Sequence, residues 1–179
     1  MSAVAFEGFS FDGFWDDCDY ALKEYVGAPA TDEQIREAEA ELGYKLPQSY
    51  IQLIKLRNGG MPVNTCFPAT GHTGWAEDHA AITGIYGIGR DKPCSLLGRF
   101  GSKFWSEEWG YPEIGVAICD TPTAGHTMIF LDYRECGSEG EPKVVTIDQE
   151  SDYEITFLAE NFEDFIRGFV HEDNFPIDD

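Results

Sequence analysis

The stretch Leu46-Pro47-Gln48-Ser49-Tyr50-Ile51-Gln52-Leu53-Ile54-Lys55-Leu56-Arg57-Asn58-Gly59-Gly60 constrains the fold more than any other part of the chain. Pro47 has its φ already set for a first helical turn and lacks only an N–H that a helix start leaves unpaired, so it opens a helix. Asn58-Gly59-Gly60 supplies the stop, because Asn and Gly tolerate the left-handed conformation that closes helix ends. Between them Tyr50, Ile51, Leu53, Ile54 and Leu56 cover more than one helical face, as a helix wedged into a core requires. Nothing in the stretch is catalytic. It is a scaffold, and function belongs to the surfaces it supports.

Upstream, Thr31-Asp32-Glu33-Gln34 has the form of a capping box: the Thr31 hydroxyl accepts from the Gln34 N–H while the Gln34 side chain reaches back. Ile35, Ala38 and Leu42 mark the stripe of the helix that follows, and Gly43 closes it, so residues 31–58 predict two helices packed face to face. Downstream the texture changes to period-two runs. Residues 63–67, 80–88, 114–119, 127–133, 144–147 and 154–158 read as strands, with a short helix expected within 96–104. Asn161 caps a last helix carrying Phe162, Phe165, Ile166 and Phe169. With no repeat and no internal linker, these parts predict one α+β domain: a mainly antiparallel sheet packed against helices from both ends of the chain.

The 179 residues suffice for one sizeable core, and an aromatic content of 14% excludes a disordered acidic tail. With 33 Asp and Glu against 12 Lys and Arg, the formal charge of −21 repels nucleic acid and anionic membranes. The partner attracted by such a surface is basic, although high charge also serves solubility alone. The five cysteines, Cys18, Cys66, Cys94, Cys119 and Cys136, are odd in number and contain no C-x-x-C pair, against a disulfide framework and a local zinc motif. The N-terminal residues lack a basic segment followed by an apolar run, and no stretch is long enough to span a bilayer, so a cytoplasmic location is expected.

Three segments interleave aromatic anchors with acids: Trp15 with Asp16, Asp17 and Asp19; Trp75 with Glu77 and Asp78; and Trp105 and Trp109 with Glu107 and Glu108. The last two are expected on loops. Trp buries a large area at small entropic cost, and carboxylates satisfy the basic groups of a phosphate-binding cleft, so all eleven residues are candidates for binding a protein partner. The competing reading is that each Trp is core and the acids a solvated rim. His72, His79 and His126 with Glu77 and Asp78 fit no local metal motif, and Cys119 with His126 is a thiol and base only if the strand does not bury the thiol. No catalytic residue, metal ligand or cofactor is assigned.

The order and wording of several segments resemble the SUKH superfamily, in particular its Smi/Knr-like branch. The matching segments are residues 46–60, Ile82-Thr83-Gly84-Ile85-Tyr86-Gly87-Ile88-Gly89, residues 114–118 with Gly125-His126, Leu131-Asp132-Tyr133-Arg134, and residues 156–165. The resemblance implies an α+β fold for the domain over 31–179; residues 1–30 lie outside the matched pattern, and their density of aromatics and acids predicts an arm packed on the domain. The resemblance also implies an immunity protein that binds and neutralises a cognate bacterial toxin, often a nuclease. The alternative it implies is a non-catalytic regulatory or scaffold module related to cell-wall synthesis regulators.

Overall fold

The structure, a computed structural model, describes residues 4–176; the outermost residues of the expected arm and domain, 1–3 and 177–179, lie outside the described residues. The chain opens with β1 (Trp15–Asp16) and α1 (Asp19–Glu24), then α2 (Asp32–Leu42) and α3 (Gln48–Leu56). Four short strands follow: β2 (Met61–Pro62), β3 (Cys66–Pro68), β4 (His79–Ala81) and β5 (Gly84–Ile85). After α4 (Ser102–Trp109) come β6 (Gly115–Asp120), β7 (Thr127–Asp132), β8 (Lys143–Asp148) and β9 (Glu154–Ala159), and α5 (Phe162–Arg167) closes the domain. The architecture is α+β.

The capping box forms as its residues dictate, with Gln34 N donating to Thr31 Oγ1 at 3.1 Å and Thr31 N to Gln34 Oε1 at 3.0 Å. Gly43 ends α2 at φ 85°. Asn161 caps α5 through a bond from Asp164 N at 2.8 Å. The end of α3 differs from the expectation: Arg57 is already extended, and Gly59 alone takes the positive φ. Asn58 instead turns its amide inward, donating to Ala28 O and Ile88 O and accepting from Ile88 N. The buried Asn ties three segments together, which helix-end logic does not foresee.

Strands β5 to β9 form one antiparallel sheet in sequence order. β7 is buried at every position, because the sheet is covered on both faces and an alternating pattern has no solvent side to serve. On one face the Tyr111 ring stacks on Phe130 at 5.6 Å, beside α4. The other face, continuing to Tyr133, meets the α2–α3 link, where the Tyr44 ring lies 4.5 Å from Tyr133 and the Tyr133 hydroxyl donates to Lys45 O. The helical hairpin is joined at its ends by the Lys55–Asp32 ion pair, while α3 packs chiefly on α5 through Tyr50 and Phe162.

The expected strand over 80–88 is two strands in two sheets: β4 pairs with β3, and β5 with β6. A Cβ on Gly84 would stand 2.3 Å from the Tyr25 ring, so the chain crosses between sheets where only glycine fits beneath α1. The expected short helix is also displaced, to Ser102–Trp109, where Gly110 at φ 74° can end it.

Candidate functional site

Two of the three aromatic and acidic segments lie at one end of the main sheet. The loop between β3 and β4 is organised by Thr73, which is 1% exposed: its hydroxyl donates to His79 O at 2.7 Å and accepts from the Trp75 and Ala76 N–H groups. Gly74, at φ 84°, presses this loop on the sheet so closely that a Cβ there would stand 2.5 Å from Thr127 and 2.8 Å from Asp148. The loop therefore projects Trp75, which remains 47% exposed, with Glu77 and Asp78 exposed beside it.

α4 reaches the same end from the opposite face. Tyr153 donates to Trp109 O at 2.6 Å, and Gly125 sits against both Trp rings. Trp109 is half-buried with its ring 5.7 Å from His126, and Glu107 and Glu108 are exposed. Trp105 corrects the expectation of a loop anchor: it lies on a helix, is 7% exposed, and donates its indole N–H to Phe100 O. At helical spacing Trp105 and Trp109 share one face, and the inner one belongs to the core.

The connection between β8 and β9, at the same end of the sheet, carries Glu150, Asp152 and Glu154, all exposed, which sequence reasoning did not assign. Their clustering follows from the hairpin linking β8 to β9, and only knowledge of the pairing could have revealed it. Among the described residues, no Lys or Arg ion pair involves Glu77, Asp78, Glu107, Glu108, Glu150, Asp152 or Glu154. Histidines stand beside three of these carboxylates, Glu77, Asp78 and Glu150. His72 stands 3.0 Å from Glu77 and 3.4 Å from Asp148, and the Glu77 carboxylate raises its pKa above the usual imidazole value. His126 faces Gln149 and Glu150.

The third segment is used differently. Trp15 pairs with Pro62 in β1–β2, its ring packs where Gly60 has no side chain, and the Arg57 guanidinium lies 5.4 Å over it. Arg57 also pairs with Asp17, while Asp16 and Asp19 are exposed. Beside Trp15 lies an open cleft of about 580 Å³, bordered by Leu22, Leu56 and Arg57.

The remaining chemical candidates do not converge. His79 stacks on Phe175 at 3.9 Å and pairs with Asp78, away from the partners of His126. Among the described residues, no group of three or more His, Cys, Asp or Glu side chains is placed to hold a metal ion. Cys119 is fully buried in β6, and burial pushes its thiol well above the ordinary range; His126 bonds elsewhere. The most perturbed carboxylate is Asp120, raised by burial to about 6 although it accepts from the Tyr25 hydroxyl at 2.6 Å and from Gly84 N at 3.0 Å. It fastens α1 to the sheet.

A family comparison covers the α2–α3 hairpin, the Asn58-Gly59-Gly60 turn and the five-stranded sheet. A family model described as SMI1-KNR4 cell-wall, of the SUKH group, matches residues 32–166. The chain belongs to this family. The SUKH family includes toxin-immunity proteins and cell-wall-regulator-like members, and its membership points to a protein partner. A search of curated proteins returned no match. The matched region contains Trp75, Trp109 and their acids and begins after Trp15. No helix among the described residues is long and apolar enough to cross a membrane.

Proposed function

We propose that this SUKH protein is a cytoplasmic immunity protein that binds a cognate bacterial toxin, a basic nuclease, and blocks it sterically and electrostatically. The observation that carries the reading is the sheet end itself: an exposed Trp75 and a half-buried Trp109 beside carboxylates that, among the described residues, form no ion pair with Lys or Arg. A nuclease cleft lined with Lys and Arg is the complementary surface, and an exposed Trp is the side chain best suited to anchor in it. The protein acts by binding, performs no reaction and needs no cofactor. Co-expression with basic toxin domains from its own genome tests this. Growth rescued by this protein is the expected result, and growth arrest that is equal with and without it refutes the reading.

The cell-wall wording of the matched family supports a second reading, a regulatory module that binds proteins of wall synthesis. Under that reading purified protein retains wall-synthesis enzymes, and no toxin, through a high-salt wash.

A further inference from the structure

The five-stranded sheet has two edges, and they are treated differently. On the outer side of β5, Ile85 N donates to Gly60 O at 2.8 Å and Gly60 N to Ile85 O at 3.1 Å, so that edge is closed. Among the described residues, no backbone hydrogen bond beyond the ladder to β8 involves β9. The register shows which groups face outward. Gln149 N donates to His126 O, and hydrogen-bonded pairs alternate along an antiparallel ladder, so Ile147 and Val145 point to β7 while Thr146 and Asp148 point to β9. Thr156 and Glu154, opposite them, use their backbone groups inward. Ile155 and Phe157 therefore present their N–H and C=O groups outward.

The side chains on this edge are equally specific. Ile155 and Phe157 share one face, and Phe157 is 47% exposed with Lys143 Nζ, itself paired with Glu135, 5.9 Å from its ring centroid. On the other face stand Glu154 and Thr156, whose hydroxyl donates to His72 O. Glu150, Asp152 and Glu154 are exposed at one end and Glu160 at the other. β9 carries neither Pro nor Lys, the usual guards of an open edge.

We propose that β9 is a docking edge for an extended strand of a basic partner, which continues the sheet by bonding to Ile155 and Phe157. Such a strand alternates apolar residues, set beside Ile155 and Phe157, with Lys or Arg set beside Glu154 and the flanking acids. Charge selects this occupant over a second copy, because antiparallel pairing of two β9 strands would set the Asp152–Glu154 end of each copy beside Glu160 of the other. The inference rests on the proposed toxin-binding function only for the identity of the partner.

The test uses a synthetic peptide of about eight residues alternating Lys and Val, its Glu and Val counterpart, and amide hydrogen exchange of the full chain. In the protein alone Ile155 and Phe157 should exchange freely while Thr156 is protected. The Lys peptide should slow Ile155 and Phe157 about tenfold or more and the Glu peptide should not. Phe157→Pro removes an outward N–H, which an edge strand tolerates, so it should abolish the slowing at Ile155 while Thr156 stays protected. Phe157→Ala, which keeps the N–H, should only weaken it. Protection already present at Ile155 and Phe157, equal responses to both peptides, or slowing that survives Phe157→Pro would overturn the proposal. No toxin enters this assay, so a positive peptide result beside failed growth rescue indicts only the immunity reading. A negative result beside successful rescue indicts only the edge.

Discussion

The N-terminal arm and the loop between β3 and β4 have similar chemistry, a Trp among carboxylates, yet they are put to opposite uses. Trp15 lies under Arg57, which also takes Asp17, and a neighbouring cation, Arg167, lies over Phe9 and donates to Glu7 O. Phe9, Phe11, Phe14 and Trp15 then stack edge to face in series. At the other site Trp75 stands exposed, and among the described residues the carboxylates beside it form ion pairs only with histidines. With few cations in the chain, where they are spent separates an aromatic that fastens the fold from one left for a partner.

The sharpest way to break this comparison is to truncate both rings. Trp15→Ala should lower the unfolding free energy by about 3 kcal/mol, and Trp75→Ala by no more than about 0.5 kcal/mol, in urea titrations. Equal losses would erase the distinction.

Next in size is the pH dependence of the bond that fastens the arm. Asp120 is raised to about 6 in the folded protein from an ordinary carboxyl value near 3.8. A raised carboxyl favours the folded state when protonated. Its contribution is therefore full below the unfolded pKa and is lost as pH rises through about 6. The stability of wild type relative to Asp120→Asn should fall by about 3 kcal/mol from about pH 4 to about pH 7, measured by denaturation at each pH. A flat difference would show that the carboxyl is not held in an unfavourable ionised state.

Binding should reverse the order of the two tryptophans. Trp75→Ala should weaken association with a toxin domain that the protein neutralises by about thirtyfold, or about 2 kcal/mol, in titration calorimetry. Trp15→Ala, corrected for its folded fraction, should leave it unchanged. Within the arm, Arg57→Gln should cost about 1 kcal/mol of stability through the lost ring contact and ion pair. The smallest effect sits in the loop. By NMR, His72 should titrate above a free imidazole, and Glu77→Gln should move it back toward the ordinary value, since Glu77 is the chief cause of the rise.

Much of the frame is legible without coordinates. The Thr31–Gln34 box, the Gly43 stop, the Pro47 start and the Asn161 cap each depend on residues within a few positions of one another, so local chemistry dictates them. The strands over 115–120, 127–132 and 143–148 follow from apolar runs bounded by turns. The candidate site was only half legible. The segment holding Trp105 and Trp109 revealed its composition but not which ring faces inward, because that depends on a helix whose placement is set by Gly110 and by packing on β6.

The local order of the elements, the family and the excess of acid are properties of the sequence itself, since each depends on neighbouring residues or on their sum. The tertiary structure decided the rest: that residues 80–88 divide between two sheets, that Trp15 is capped and Trp75 is not, and that one sheet edge is closed while the other stays open. These outcomes rest on which distant cation or backbone group arrives at a given residue. That meeting is fixed by chain topology, and no local pattern records it.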